Sequence, residues 1–574
     1  LPGGRTLVQT IPEEAFSGLP SGLQGQAQIE ASTSPEAKLH PRLREELLLS
    51  SLDRIDEFVI TFRDDLRIPR FPEPAVAEQP NSPTNQSAFT EATNLIEQIR
   101  TARQSVYAAR TRELAPLGVE VAETFWLINA IRVRMPLSAV AILARYPDIL
   151  YIEPNQTSSL PPNSDPNDDV VKARAYIQTD DLASMWTGGF VGLLDTGVRT
   201  SHVLLSNPSP LRYVRDCVNG TSNNCTAGVN LNPDDDCWHH GTASAAIITG
   251  NSNLGDAYRG IDWVTLDSFK VYPSGCGALD TSAVIRGFQA ALAALDQVIV
   301  AEMQGDGSDA SSISSAADAA YDAGAIVVAA NGNFGPTSAS VKAPANAHKV
   351  LGIGSFDIKT LAQETGQSRG PAPDGRIKPD LQEPTNTETA TAVTNTSVQV
   401  FTGTSGATPY AGGLAIAMRN WLFRLGGGNN PLLPGVGYAW MILMGQKAYP
   451  FDNISGAGPG RFVPNTLLWQ GRVSFSGAGV ADFPLDGYGA ETTYKYNLAA
   501  SLWWPEAVSD PHNDIDLFIV DPSGVVRASS TSVYSIFERA QVPGLLAAGT
   551  WKLRIQNKGT RSQDIFFGAY RTSS

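Results

Sequence analysis

Cysteine is scarce in this chain: four residues in 574, and all of them, Cys217, Cys225, Cys237 and Cys276, fall within one short span. The fold must therefore rest on buried apolar side chains, of which there are enough (42% of residues). Four cysteines allow three pairings; Cys217 with Cys225 and Cys237 with Cys276 is the expected one, and it points to an oxidising compartment. Zinc competes for them because His239 and His240 lie close by, but no CxxC-type spacing is present. Positive charge is also short, 42 Lys and Arg against 57 Asp and Glu, for a formal net charge of −15. Nucleic acid is excluded as a partner on that count, since phosphate binding needs a basic face. No apolar run reaches membrane-spanning length, which excludes a helical span, and Leu1-Pro2-Gly3-Gly4 carries neither a Met nor the apolar core of a signal peptide.

What is present reads as several domains, three or four by length. Residues 1–50 are rich in Gly, Pro, Ser and charge and read as a mobile leader, with a short helical pattern at Leu43–Leu49. Residues 51–157 read as a small α+β unit. A strand at Glu57–Phe62 and a Pro-rich break from Pro69 to Pro83 lead to an amphipathic helix from Ala88 to Leu114. Strands at Val119–Ala130 and Ile131–Met135, a helix at Leu137–Tyr146 and a strand at Ile149–Glu153 complete it. Residues 158–169 form a loose linker. From 170 to 470 apolar strand patterns alternate with helical ones. The strands run from Phe190 to Asp195, from Tyr258 to Val271, Val298–Val300 and Ile326–Ala330; the helices are His240–Ile248, Thr281–Leu295 and Ser311–Ala323. That alternation predicts a parallel sheet with helices on both faces. Residues 473–574 switch to short alternating strands, Asn497–Trp504, Asp514–Val520, Val525–Ala528 and Gly549–Ile555, an all-β sandwich.

The chemistry gathers on Phe401-Thr402-Gly403-Thr404-Ser405-Gly406. A β-prone lead-in meets small residues and then a helical pattern from Ala411 to Leu425, so Ser405 falls at a strand-to-helix turn. Free N–H groups and the positive end of the dipole favour developing negative charge there. Gly403 and Gly406 keep side chains away from an incoming carbonyl. An N-cap serine would look the same, so partners are needed. Asp195 ends the buried run Phe190–Leu194, where α/β folds place their chemistry, and His240 opens a helix of small residues beside Gly241. Asp, His and Ser thus follow in that order.

Five segments together resemble the subtilisin-like serine proteases (subtilases, peptidase family S8): Leu193-Leu194-Asp195-Thr196-Gly197-Val198, His240-Gly241-Thr242-Ala243, Val327 to Asn333, Arg369-Gly370-Pro371 with Lys378-Pro379-Asp380, and Gly403 to Pro409. The resemblance implies Ser405 as nucleophile, His240 as general base and then acid, Asp195 as its orienting carboxylate, and Asn333 as oxyanion donor. It selects His240 over His239, and leaves His202 a structural role. It also implies that residues 51–157, with Val119–Ala130 and Ile149–Pro154, are an inhibitory propeptide, that 158–169 is the processing linker, and that the C-terminal sandwich is a jelly-roll-type appendage. Phe334 and Lys342 fall where the family lines the pocket for the residue before the cut bond. The family's Met after the nucleophile, its His after the following Pro, and its Pro-Gly after Lys-Pro-Asp are here Gly406, Tyr410 and Pro384-Thr385.

The expected protein is thus a secreted or periplasmic serine endopeptidase made as a zymogen. Its partners are protein or peptide substrates and its own propeptide. No cofactor is required for the chemistry, and calcium would have a structural role only, with Asp510, Asp514 and Asp516 as weak candidates beside Asn513. The acidic run Asp234-Asp235-Asp236 reads as a solvated loop. The alternative is a catalytically silent binding or adhesion protein that keeps the protease shell.

Overall fold

A computed structural model describes residues 35–49, 52–75, 82–155, 169–180, 188–220, 225, 234–235, 237, 239–261, 263–425, 433–464, 466–486, 490 and 492–573. Most of the predicted leader and all but the last residue of the predicted linker 158–169 lie outside the described residues.

The first unit contains strands β1 (Ile55–Phe62), β2 (Glu120–Thr124), β3 (Ala130–Pro136) and β4 (Ile149–Pro154) in one antiparallel sheet of order β2-β3-β1-β4. Its long helix is Pro83–Leu114, started by Ser82, whose side chain accepts from Asn85 N–H, with Pro83 in the first turn where no N–H is needed. The strand expected over Val119–Ala130 is shorter, because Phe125–Asn129 leaves the sheet as a buried loop. Its carbonyls are satisfied from the helix: Tyr107 Oη donates to Phe125 O and Ile128 O (2.6 and 2.8 Å), and Arg103 Nε to Trp126 O (2.6 Å). An apolar run with strand propensity is thus diverted by side-chain donors far away in sequence.

The central unit is a seven-stranded parallel sheet. Its strands are β5 (Phe190–Asp195), β6 (Leu211–Asp216), β7 (Thr265–Lys270), β8 (Val298–Ala301), β9 (Ile326–Ala330), β10 (Leu351–Asp357) and β11 (Leu381–Thr385), in the order β11-β10-β9-β8-β5-β7-β6. The strand expected from Tyr258 is confined to β7, since Asp256–Tyr258 forms a 3-10 turn. β6 carries Arg212, Arg215 and Asp216 and lies at the sheet edge, which hides it from an apolar-run search. The chain builds β5, β6 and β7 to one side and β8 to β11 to the other. The order therefore reverses between β5 and β8, the crevice where open α/β sheets hold their sites. A ribbon of β12 (Thr387–Ala390) and β13 (Val398–Phe401) leads into the helix Gly403–Leu425.

The last unit stacks two four-stranded antiparallel sheets. One runs β14 (Thr466–Phe475), β21 (Gln563–Thr572), β16 (Tyr496–Trp503), β19 (Phe537–Leu545). The other runs β15 (Gly479–Leu485), β20 (Trp551–Asn557), β17 (Ile515–Val520), β18 (Val526–Ser530). Trp503 and Trp504 are both fully buried. Trp503 stacks edge-on to Tyr438 of the helix Pro434–Met444 and packs against Tyr321. Ser501 Oγ donates to Ala439 O (2.6 Å) and Arg539 Nε to Leu443 O (3.1 Å), so the sandwich shares a core with the parallel-sheet unit through that helix.

Candidate active site

β5 is buried along its whole length and ends on Asp195, which is fully shielded from solvent. Its Oδ1 accepts from Thr196 N–H (2.7 Å) and faces His240 Nδ1 at 2.7 Å. His240 is the first residue of the helix His240–Thr249 and stands edge-on to the Phe401 ring at 4.8 Å between centroids. Ser405 is the third residue of the helix Gly403–Leu425, 1% exposed. Its Oγ and His240 Nε2 make no hydrogen bond of ordinary geometry. Such contacts commonly tighten only when substrate is bound. Asn333 Oδ1 accepts from Thr404 N–H (2.9 Å) and Thr404 Oγ1 (3.1 Å), which fixes the amide so that Nδ2 is left buried and unpartnered. The Asn333 N–H donates to Gln304 Oε1 (2.9 Å).

The two glycines around Ser405 also admit neighbouring protein groups. A Cβ on Gly403, at φ +70°, would lie 2.7 Å from Asn333 Oδ1, so this glycine lets the amide approach. A Cβ on Gly406 would meet Thr385 Oγ1 at 2.3 Å, not an incoming carbonyl. Thr385 Oγ1 thus fills the space beside Gly406, and it donates to Gly403 O (2.8 Å). Tyr410 is buried and donates to Thr387 Oγ1 (2.8 Å).

The acidic run is not a solvated loop at its centre. Asp235 is buried and accepts from Thr196 Oγ1 (2.9 Å), Thr242 N–H (2.9 Å) and Thr242 Oγ1 (2.7 Å), which ties the strand end of Asp195 to the helix of His240. Burial pushes its carboxyl up to about 6, against the bonds from Thr242. The cysteines pair Cys217–Cys225 and Cys237–Cys276, and Cys237 O accepts from His240 N–H (3.4 Å). His202 is buried, with Nδ1 accepting from Leu204 N–H and Nε2 3.0 Å from Ser397 O; burial lowers its pKa. His239 precedes the helix of His240 at φ +61°, with no capping bond from its side chain.

Lys342 Nζ is ion-paired to Asp306 and lies 3.9 Å from the centroid of the Phe334 ring, which is half exposed. The three weak calcium candidates have cationic partners. Asp510 pairs with Arg561 (2.9 Å), and Asp514 and Asp516 pair with Lys558 (3.2 and 2.8 Å). Asp309, His348 and Asp374 converge elsewhere, but Arg376 Nε already donates to Asp374 at 2.5 Å.

The sheet of the first unit lies across the helices Thr281–Ala293 and Ser312–Ala323, and its contacts were not legible beforehand. Glu153 accepts from Ser312 N–H (2.8 Å) and from the Ser312 hydroxyl. Asn155 Oδ1 accepts from Ser282 N–H (3.1 Å) and Ser282 Oγ (2.6 Å), and Asn155 O from Thr281 N–H (2.9 Å). Two neighbouring helix starts are thus capped from positions 153 and 155, at and just past the end of β4. Arg286 donates to Glu123 (2.7 Å) with both side chains buried. Only residues that chain folding places together could reveal this; nothing in their local sequence marks them.

Residues 187–422 match the model of the Subtilase family. A subtilisin of Bacillus sp. (strain TA39) is 28% identical over 241 residues, covering 39% of this chain and 55% of that protein, so the chain spans about half the length of this curated relative. Among solved structures, sphericase is 22% identical, covering 50% of this chain and 97% of its own, with a TM-score of 0.40. The epidermin leader peptide processing serine protease of Staphylococcus aureus is 16% identical, covering 71% and 97%, with a TM-score of 0.46.

Proposed function

Because residues 187–422 form a domain of the subtilase family, we propose that this protein is a secreted or periplasmic serine endopeptidase made as a zymogen. The observation that carries the reading is the 2.7 Å contact of buried Asp195 Oδ1 with His240 Nδ1, which leaves Nε2 free to take a proton. Ser405 attacks the peptide carbonyl while His240 accepts its proton and later returns it to the leaving amine. Asp195 holds the imidazole with Nδ1 as donor and stabilises its positive charge without taking the proton. Asn333 Nδ2, fixed by Thr404 and otherwise unpartnered, donates to the oxyanion with the Ser405 N–H. Two disulfides fit an oxidising compartment.

Residues 51–157 act as an intramolecular inhibitor. The helix caps supplied by Glu153 and Asn155, and the buried Arg286–Glu123 pair, support a docked propeptide. Cleavage falls in the linker 158–169. Phe334 and Lys342 line the pocket for the residue before the cut bond, and a Lys342→Ala change should alter that preference in a peptide library. The test of the whole reading is a fluorophosphonate probe on the purified chain, followed by mass spectrometry. Expected are a label on Ser405, none on Ser405→Ala, and self-cleavage between 158 and 169. A chain that never labels would instead be a silent binding protein with a protease shell.

A further inference from the structure

One buried acid at the switch point has no place in that mechanism. Glu302 follows the last residue of β8, and its N–H donates to Leu194 O of β5 (3.0 Å), so it stands next to Asp195 at the adjoining strand end. It is 1% exposed, and neither carboxyl oxygen makes a hydrogen bond of ordinary geometry. Two carboxyls this close in a site shielded from water cannot both carry charge cheaply. Their partners decide between them. Asp195 has the Thr196 N–H and the His240 ring to hold a negative charge, whereas Glu302 has neither a cation nor a backbone donor. Burial first, and the Asp195 charge second, push the Glu302 carboxyl well above the usual carboxylate range; the Ser405 hydroxyl beside it acts in the opposite sense.

Among the described residues, the buried Lys270 of β7, in register with Asp195, donates to Asp234 O (2.8 Å). From β5 comes Asp195, and from the start of the helix His240–Thr249 comes His240, already committed to Asp195. Beyond β7 lies Tyr272, a buried phenol raised well above its ordinary range by burial and by Asp195 and Glu302. From the helix Gly403–Leu425 comes Ser405, uncharged. β9 on the other flank ends in Ala330, Asn331, Gly332 and Asn333, none of which titrates. A neutral carboxyl is both donor and acceptor. Tyr272 Oη, Gln304 Nε2 and Ser405 Oγ all lack a bond of ordinary geometry, and of these it is the Ser405 hydroxyl that acts on the Glu302 carboxyl as a hydrogen-bond partner.

We propose that Glu302 is a positioning residue of the active site, one that as a neutral carboxyl hydrogen-bonds the Ser405 hydroxyl and when ionised blocks acyl transfer. The neutral form orients the nucleophile without competing with Asp195 for the positive charge that forms on His240. The ionised form adds a second negative charge where the substrate oxygen must itself turn negative. The enzyme would then lose activity at high pH through this carboxyl.

This inference rests on the protease reading, and two measurements separate them. The first is the rate of fluorophosphonate labelling of Ser405 against pH in the purified full chain, for wild type and Glu302→Gln. Expected for wild type is a fall of about tenfold per pH unit on the alkaline side, and for Glu302→Gln a loss of that limb. Superimposable profiles overturn the inference, while no labelling of wild type at any pH overturns the protease reading alone. The second needs no activity: infrared spectra in the C=O region at neutral pH. Glu153 and other buried acids also absorb there, so the readout is the wild type minus Glu302→Gln difference spectrum, in which a buried protonated carboxyl band is expected. In Ser405→Ala the band should persist to higher pH, because the hydroxyl that lowers the Glu302 pKa is gone. A difference spectrum without the band overturns the inference, and so, even if Glu302→Gln does not fold, does a Ser405→Ala chain whose band titrates where wild type's does.

Discussion

At the scale of single residues, the amide of Asn333 is held at one end only. Thr404 donates to Oδ1 through its N–H and hydroxyl, which leaves Nδ2 buried and unpartnered, and in the proposed mechanism that N–H meets the oxyanion without reorienting. Asn333→Ala should lower kcat by about 10²–10³-fold with little change in KM, the pattern of an interaction made only in the transition state; steady-state kinetics on a peptide substrate check it. The close approach of Gly406 to Thr385 makes a second prediction. Gly406→Ala drives a methyl into Thr385 Oγ1 and should destabilise by about 1–3 kcal/mol, and Thr385→Ala in the same chain should recover part of that loss. A double-mutant cycle by denaturant unfolding measures the coupling, which should be zero if the two positions are independent. The three residues of the proposed triad stand out in the sequence because each sits in a local pattern of small residues around one polar group. Asp235 and Glu302 do not, because an acid in an acidic run or after an apolar strand looks the same whether it is solvated or buried.

Among secondary-structure elements, the decisive contacts are those between helix starts and the end of β4. Glu153 is fully buried against Ser312, and burial, outweighing the bonds from Ser312, pushes its carboxyl from 4.5 up to about 7. The sign follows from which state holds the proton. The docked state binds it more tightly than the free state, so docking is strongest below about pH 4.5 and weakens as pH rises through 7, by roughly 3 kcal/mol in all. Inhibition of the mature enzyme by the added 51–157 segment should therefore weaken from pH 5 to pH 8, and with Glu153→Gln the dependence should flatten. An inhibition constant that does not change with pH in the wild-type segment would contradict it. The helix Pro83–Leu114 was legible from its apolar spacing, with Ala92, Ile96 and Ile99 on the buried face. The end of the strand before Phe125 was not, because Tyr107 and Arg103 decide it from another element.

For the whole molecule, the parallel-sheet unit and the sandwich are not beads on a string. Trp503 belongs to β16 yet packs on Tyr438 and Tyr321, and Arg539 of β19 reaches Leu443 O. Trp503→Ala removes the largest side chain of that junction and should cost about 3–5 kcal/mol. Because the core is shared, the loss should lower one cooperative thermal transition; two separated transitions in calorimetry would mean that the units unfold independently.

The sequence alone determined the order of architecture, from α+β unit through parallel sheet to all-β sandwich, and the three residues that carry the proposed chemistry, because periodicity and small-residue turns are local properties. Tertiary structure decided what each polar group faces. It paired the cysteines, turned Asp235 inward, set Thr385 against Gly406, seated Glu153 and Asn155 on two helix starts and brought Glu302 beside Asp195. The physical reason is the same in each case: whether a carboxyl is solvated, paired or protonated depends on burial and on partners that are dozens to hundreds of residues away, and no local pattern records either.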